Sequence, residues 1–460
     1  MDTTLSLTEE QHKILKDHLY PGDNLEAVAV ALCGRHVGKD FHRLFVHEIM
    51  VIPYEKCTLR EKHKLVWTTE SIISLLDKAA KRNMAILKIH SHPSVSRHFS
   101  RYDDESDTKL FSSIYSWVDN DLPHASAIML PDGSIFGRSI SPDGKFNSLS
   151  RVTVVGDDIV FWDEKKHPRS TPEFARRHIQ VFGTATYERL SKLKIGVIGC
   201  SGTGSLVVEQ LARLGVGELV LVDPDHIEEK NLNRIPNATM ADAREEKRKV
   251  DVLARAIKAM ELGTVVQAIP AEISTADVVK SLAECDVVFG CMDGVDGRHI
   301  LNRLASFYLM PYFDLGVKLI ADGKGGVDQV CATVHYLQPG RSSLMSRKVY
   351  TQEQLFAANL KKTDPVEYEE RLKSKYITGV NEERPAVISV NMLIAALAVN
   401  EFLARIHPYR QEPNGHYAIH GFSLSNGQYI YEPESEKCSA LSKHVGRGHT
   451  TPLLDMPELS

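Results

Sequence analysis

The sequence is short of several things. Cysteine is scarce: seven in 460 residues, at 33, 57, 200, 285, 291, 331 and 438. An odd, scattered set excludes a disulfide framework and fits a reducing, cytoplasmic setting. Charge of one sign is also missing. Lys and Arg number 55 against 60 Asp and Glu, a net charge of −5, and the pI is near 6.5. With no basic excess to meet phosphates, neither nucleic acid nor an anionic membrane is an expected partner. Long apolar runs are absent too. The strongest, Val387 to Val399, is broken by Ser389 and Asn391 and falls short of the roughly 18–20 residues that span a bilayer. The first residues, MDTTLSLTEEQHKIL, are acidic and amphipathic and carry no signal-peptide core. We find no internal repeat and no low-complexity tract. What is present, 43% hydrophobic and 25% charged residues, excludes global disorder. At roughly 100–200 residues per domain, the length implies two or three cores.

The order of signals divides the chain. Leu25 to Cys33, Phe45 to Ile52 and Ala85 to Ile89 read as strands, and Ser71 to Lys81 as a helix. Ser126 to Leu130, then PDGS, then Ile135 and Phe136, reads as a hairpin with a Pro-Asp-Gly turn. Beyond 155 the text turns polar, charged and proline-bearing, so we expect a first domain over 1–155 and a linker over 156–173. From 174 to 430 strands alternate with helices: Lys194 to Ile198, Glu218 to Val222, Val265 to Ile269 and Val287 to Gly290, and a long helix over Val387 to Ile406. That alternation predicts a doubly wound, mostly parallel α/β sheet. A polar tail is expected over 431–460.

Two constellations carry chemistry. The first is IHSHPSVSRHFSRYDD. His90 and His92 end a strand, and period two sets both imidazoles on one face. Two histidines and a carboxylate can hold zinc and leave a fourth position for water, whose pKa falls to about 7. Seven residues separate His92 from Ser100, and Asp103 follows at Ser-x-x-Asp. Ser100 could donate to a developing oxyanion. The neighbouring Asp104 is a rival ligand that the spacing disfavours. His47-Glu48 starts like a His-Glu-x-x-His zinc site, but position 51 is Val51.

This pattern resembles the signature of the JAMM (JAB/MPN) metalloprotease family over about residues 20–140. The resemblance implies an α/β zinc hydrolase with ligands His90, His92 and Asp103. It also implies an early-strand glutamate as general acid/base, best matched by Glu26 in EAVAVALCG.

The second constellation is KIGVIGCSGTGS, with Gly199, Gly202 and Gly204 between a strand and a helix. Such a turn brings backbone N–H groups and a helix N-terminus onto a phosphate. Asp223 ends the next strand, where a carboxylate can bind a ribose hydroxyl. Taken alone, the turn suits NAD, FAD, S-adenosylmethionine or ATP. The following DPDHIEEKNLNR and EEKRKVDVL supply Asp225, Asn231, Asn233, Arg234 and Lys249, a polar set unlike a dehydrogenase's. Asp293 lies just past another strand and suits a magnesium ion on a triphosphate.

These residues resemble the adenylation domain of the ThiF/MoeB/HesA superfamily of ubiquitin-activating-like enzymes, over about 174–430. The resemblance implies ATP and Mg²⁺, with Asp223 on the ribose, Asn233, Arg234 and Lys249 on phosphates, and Asp293 on the metal. It also implies a homodimer in which Arg176 reaches the neighbour's ATP site. Two departures stand out: Ser201 replaces a turn glycine, and Met292-Asp293-Gly294 stands where Thr-Asp-Asn is usual. The two Cys-x-x-Cys pairs of many relatives are missing, for RSSLMSR follows Pro339-Gly340, so no structural zinc is expected there.

A thioester-forming member of the superfamily needs a mobile, partly exposed thiolate. Cys33, Cys285 and Cys291 sit in or beside apolar runs, Cys200 is in the phosphate turn, and Cys331 is in a strand. Cys438, with polar flanks, is the remaining nucleophile candidate. The two resemblances together imply a bifunctional enzyme. It would adenylate the C-terminal glycine of a ubiquitin-like protein and cleave peptide or isopeptide bonds after that glycine. A conjugating-enzyme-like partner would follow. Relatives with this fusion look bacterial, some tied to antiphage defence. The alternatives are service to a sulfur carrier in cofactor or cysteine biosynthesis, or an inactive scaffold for a ubiquitin-like protein.

Overall fold

The computed structural model describes residues 2–164, 171–322, 324–373 and 387–460. The chain forms two compact units. One comprises Met1–His167, Phe307–Leu309 and His444–Thr450, and the other Pro168–Ser306, Met310–Lys443 and Thr451–Ser460.

In the first unit the chain runs β1 (Asp2–Thr8), α1 (Glu9–Leu19), β2 (Val28–Val37), β3 (Phe41–Val51), β4 (Cys57–Arg60), β5 (Leu65–Trp67), α2 (Ile73–Arg82), β6 (Ala85–Ser91) and α3 (Arg101–Val118). It continues through β7 (His124–Met129), β8 (Ile135–Ile140), β9 (Phe146–Ser148), β10 (Arg151–Val155) and β11 (Ile159–Asp163). Nine strands make a mixed sheet in the order β11-β10-β1-β3-β2-β6-β7-β8-β9, and β4 and β5 form a separate ribbon. Alternation along the central strands buries two faces. Leu87 and Ile89 of β6 belong to one apolar cluster with Leu15 and Leu19 of α1. Ile86 belongs to a second with Phe111 and Ile114 of α3 and Leu75 of α2. The PDGS hairpin forms as read, β7 pairing antiparallel with β8.

The linker expectation is corrected. β11 lies inside 156–173 and pairs with β10 at the sheet's edge, so the sheet runs to Asp163. Ile159 and Phe161 are buried while Val160 is exposed, an alternation hidden by the polar residues around it. Residues 165–170 of that linker lie outside the described residues.

The second unit runs α4 (Arg176–Leu190), β12 (Lys194–Ile198), α5 (Gly202–Arg213), β13 (Glu218–Val222), α6 (Met240–Arg244), α7 (Lys249–Met260), β14 (Val265–Ile269), α8 (Ala276–Leu282), β15 (Val287–Gly290) and α9 (Val295–Phe307). Then come β16 (Tyr312–Ala321), β17 (Val327–Leu337), α10 (Gln352–Thr363), α11 (Pro365–Lys373), α12 (Ile388–Ile406), β18 (Ile419–Ser423), β19 (Gln428–Glu432) and α13 (Ser439–Ser442). The sheet order is β14-β13-β12-β15-β16-β17-β18-β19. Its first five strands are parallel and the last three antiparallel. The order reverses at β12, between β13 and β15, which opens a crevice at the strands' C-terminal ends.

α12 forms where the sequence predicts it, starting one residue later, at Ile388. Its 19 residues are enough in length and composition to cross a membrane, but 61% of that stretch is buried inside the unit. Its charges are buried with it: Glu401 Oε1 lies 2.6 Å from Arg405 Nε, both side chains fully covered, and Glu401 Oε2 lies 2.7 Å from His420. This is the packing of a core helix.

Candidate functional sites

In the first unit, strand register builds the site. Val28 pairs with His90 across β2 and β6. The same antiparallel register sets Glu26 opposite His92, and Ser91 N donates to Ala27 O at 3.0 Å. Ser91 Oγ accepts from Ala27 N at 2.9 Å, which ties the middle residue of His-Ser-His to the neighbouring strand. α3 starts at a capping box: Ser100 Oγ accepts from Asp103 N at 3.1 Å, and Asp103 Oδ2 accepts from Ser100 N at 2.7 Å. Asp103 thereby faces the histidines. The Nε2 atoms of His90 and His92 are 3.2 Å apart. Asp103 Oδ1 is 3.0 Å from His90 Nε2 and Oδ2 is 3.5 Å from His92 Nε2.

One ligand atom from each of the three residues lies within 4.8 Å of the others, and all three residues are buried. Two imidazole nitrogens and a carboxylate oxygen converging on one point are a donor set that zinc fits. Asp104 does not compete, because it pairs with Arg138. His47-Glu48 lies on β3, where Glu48 pairs with Lys78 at 2.7 Å.

Burial shapes the electrostatics. Desolvation pushes the Glu26 carboxyl up to about 7, with the Asp103 charge adding to it. Burial would raise Asp103 as well, but hydrogen bonds from His90, His92 and Ser100 outweigh it and hold this carboxyl far below the ordinary range. Burial lowers His90, which keeps its imidazole neutral and able to ligate.

Ser100 departs from expectation. Its hydroxyl proton goes to Asp103 Oδ2 at 2.7 Å, so here the serine steadies the carboxylate and its proton is not aimed at an oxyanion. Tyr20, unnoticed in the sequence, donates to the backbone oxygens of His92 and Met129 at 3.0 and 2.7 Å.

In the second unit the predicted residues gather around one cavity of about 960 Å³ at the crevice. Gly199, Gly202, Asp223, Asp225, Asn231, Asn233, Arg234, Lys249 and Asp293 all line it. Gly199 takes φ +89°, and a Cβ on Gly204 would lie 1.8 Å from Gly199 O; the turn requires glycine at both positions. Ser201 caps α5 without a side-chain hydrogen bond, which leaves N–H groups at that helix start for an anion.

Asp223 Oδ2 accepts from Cys200 N at 2.7 Å and Oδ1 from Asp225 N at 2.9 Å, so it braces the turn. Burial raises its carboxyl, against the lowering charge of Lys249. Lys249 Nζ rests 2.6 Å from Asp225 Oδ2 and 3.8 Å from Asp223 Oδ1. Arg234 donates to Lys230 O at 2.7 Å and Asn233 Oδ1 at 3.0 Å. Asp293 is exposed, and its carboxylate suits a hard cation.

Gly204, Arg176 and Cys438 do not line this cavity, and of the three only Gly204 is expected beside it. Gly204 packs within the turn and does not line the cavity. Arg176 lies off the cavity and pairs with Glu173 at 3.0 Å on the surface. Cys438 is corrected as a nucleophile: it is only 4% exposed, and its N–H donates to Arg341 O at 3.0 Å. Its polar neighbours face solvent while the thiol packs inward.

The cavity also holds residues the sequence reading missed. Arg298 donates to Asp314 Oδ1 at 3.0 Å. Lys362 of α10 reaches Asp296 at 2.5 Å and Glu272 at 3.2 Å. Asn391 of α12 stands against Gly202; its interruption of the apolar run was the signal that could have found it.

The sequence model of the ThiF family matches residues 175–440, and that of the prokaryotic homologs of the JAB domain matches residues 9–130. Ubiquitin-like modifier-activating enzyme 5 of Bombyx mori is 25% identical over 171 residues, covering 34% of this chain and 40% of that protein. The SAMP-activating enzyme E1 of Haloferax volcanii is 30% identical over 123 residues, covering 27% of this chain and 45% of that one. The chain thus spans less than half the length of these curated relatives. Among solved structures, E. coli MccB with succinimide is similar at 19% identity and a TM-score of 0.44, covering 58% of this chain and 74% of that chain.

Proposed function

The chain belongs to the ThiF family and carries a JAB-type domain ahead of it, and from that premise we propose a bifunctional enzyme of a ubiquitin-like modifier system. Its second unit would adenylate the C-terminal glycine of a ubiquitin-like protein. Its first would hydrolyse peptide or isopeptide bonds to that glycine. The observation that carries the reading is the gathering of the turn, Asp223, Arg234, Lys249 and Asp293 around one cavity.

In the adenylation, the glycine carboxylate forms a bond to the α-phosphorus as the α–β phosphoanhydride breaks and pyrophosphate leaves. Asp223 is placed to accept from a ribose hydroxyl with lone pairs its backbone donors leave over. Arg234 and Lys249 are placed to meet phosphate oxygens, and the N-terminus of α5 supports them. Asp293 would hold Mg²⁺, which supplies charge neutralisation at the triphosphate. Most of the acceleration then comes from positioning and preset charge.

In the hydrolysis, His90, His92 and Asp103 would hold zinc, which supplies a water acidic enough to act near neutral pH. Glu26, at about 7, is poised to take a proton and return it to the leaving amine. Ser100 keeps Asp103 oriented.

The similarity to activating enzymes supports a ubiquitin-like partner. The exposed Arg176 leaves room for a second copy to receive it. The seven free cysteines support a reducing, cytoplasmic setting. A second reading takes the carrier to be a sulfur carrier. Burial of Cys438 favours it, since the adenylate would meet an external sulfur donor and no thiol of the enzyme is required.

ATP–pyrophosphate exchange tests the main reading. Exchange should depend on a Gly-ended ubiquitin-like protein and fall by about 10²-fold or more in Asp293→Ala, as expected when charge stabilisation is removed. Full exchange in that variant would sink the adenylation map. A strict requirement for sulfide or persulfide in product formation would select the sulfur-carrier reading.

A further inference from the structure

A buried charge cluster in the first unit has no part in the chemistry above. Lys88 Nζ lies 2.7 Å from Asp107 Oδ1, with side chains 5% and 0% exposed. Arg138 meets Asp107 Oδ2 at 2.7 Å from the other side. Burying such charges is costly, and apolar residues of similar size are often as stable or more so. The geometry supplies a reason for keeping them.

On β6, Ile86, Lys88 and His90 share the face toward α3. On α3, the buried stripe is Asp103, Asp107, Phe111, Ile114 and Val118. The two rows meet rung by rung in opposite directions. Asp103 meets His90 at 3.0 Å, Asp107 meets Lys88 at 2.7 Å, and Phe111 shares an apolar cluster with Ile86. The rungs can coincide because four helical residues advance about 6.0 Å and two strand residues about 6.6 Å. The lowest rung is apolar, and apolar contact is non-directional, so it sets the axial position of the helix weakly. The middle rung is a directional ion pair directly beneath the ligands. Arg138 holds it from behind, its guanidinium 3.8 Å from the ring centroids of both Phe99 and Phe146.

We propose that Lys88 and Asp107, braced by Arg138, fix the axial register of α3 on β6 and so set Asp103 against His90 and His92. The proposal rests on reading those three residues as metal ligands. Lys88, Asp107 and Arg138 are positioning residues, acting through Asp103.

The test is zinc affinity of the full chain, measured by chelator competition, with visible absorption of the cobalt-substituted protein as a second readout. Lys88→Met leaves Asp107 neutralised by Arg138, so no charge is stranded. It should bind zinc about 10–100-fold more weakly, the usual effect of losing an outer partner of a metal site. It should also shift the cobalt spectrum while the metal-free circular dichroism stays as in the parent. Lys88→Arg should restore affinity. If Lys88→Met fails to fold, the double variant Lys88→Met/Asp107→Asn keeps Arg138 paired with Asp104 and is measured the same way. A folded variant with parental zinc affinity and spectrum overturns the register lock and leaves the metal reading standing. A parent chain that binds no zinc overturns the metal reading itself.

Discussion

Glu26→Gln separates chemistry from stability at one atom. The glutamate folds into a place that disfavours its charge, so its carboxyl stands at about 7, raised from 4.5 mainly by burial. One pKa unit is about 1.4 kcal/mol, so the shift corresponds to about 3 kcal/mol. Relaxation of the surroundings around a buried charge reduces this to about 2 kcal/mol. The sign follows from proton counts. Between pH 4.5 and 7 the unfolded chain gives up a proton that the folded one keeps. Stability therefore falls as pH rises through that window.

Glutamine is the shape of the protonated form and carries no such penalty. In metal-free protein the variant should match the parent at about pH 4 and exceed it by about 2 kcal/mol above about pH 8 in denaturant titrations. Hydrolysis should move the other way. A ubiquitin-like protein joined through its terminal glycine to a reporter amine should be cleaved about 10²–10⁴-fold more slowly by the zinc-loaded variant, the usual share of a general acid/base. Zinc content should be unchanged, since Glu26 is not among the three residues proposed to hold the metal. Cleavage within about tenfold of the parent would refute the role given to Glu26, a factor of ten being well below that share. Identical stability of variant and parent at about pH 8 would refute the desolvation argument.

Other perturbations read the second unit. Burial would raise Glu401, but the His420 hydrogen bond and the charges of Arg405 and Arg410 hold its carboxyl down to about 2. Its stabilisation is thus complete above the ordinary 4.5 and lost as pH falls through about 2. Glu401→Gln strands the covered Arg405 and should cost about 3–5 kcal/mol at pH 7 by chemical denaturation; a loss under about 1 kcal/mol would show that the charges are compensated elsewhere. Cys438 should react with iodoacetamide far more slowly in the native protein than in denaturant, and Cys438→Ser should keep carrier-dependent pyrophosphate exchange. A reductant-sensitive adduct with the carrier that disappears in Cys438→Ser would reinstate this thiol as the nucleophile.

What could be read in advance depended on how local the signal is. The strands from Lys194–Ile198 to Val287–Gly290 occur at the expected residues, because each is a short, mostly apolar run ended by glycine, aspartate or proline. His90 and His92 needed only period two, and the glycine turn only its order between strand and helix. Lys362 escaped because it reaches the cavity from α10, far along the chain, through side-chain length rather than spacing. Cys438 was misjudged because polar neighbours describe the surface of its segment and not the direction of its thiol. β11 was hidden because two buried residues among charged ones look like a linker.

The first site also shows why a motif can be both a folding signal and a chemical one. Ser100 and Asp103 form a capping box, the local device that starts a helix. Asp103 Oδ2 receives both Ser100 hydrogen bonds, and Oδ1 is left toward His90 at 3.0 Å. The carboxylate that satisfies the first turn of α3 is therefore oriented by that turn before any metal arrives. Ser100→Ala would remove the hydroxyl from both partnerships, loosening the helix start and the ligand together. The serine in Ser-x-x-Asp thus has a structural task whatever it contributes to an oxyanion, and helix formation itself presents the Asp103 carboxylate to the two histidines.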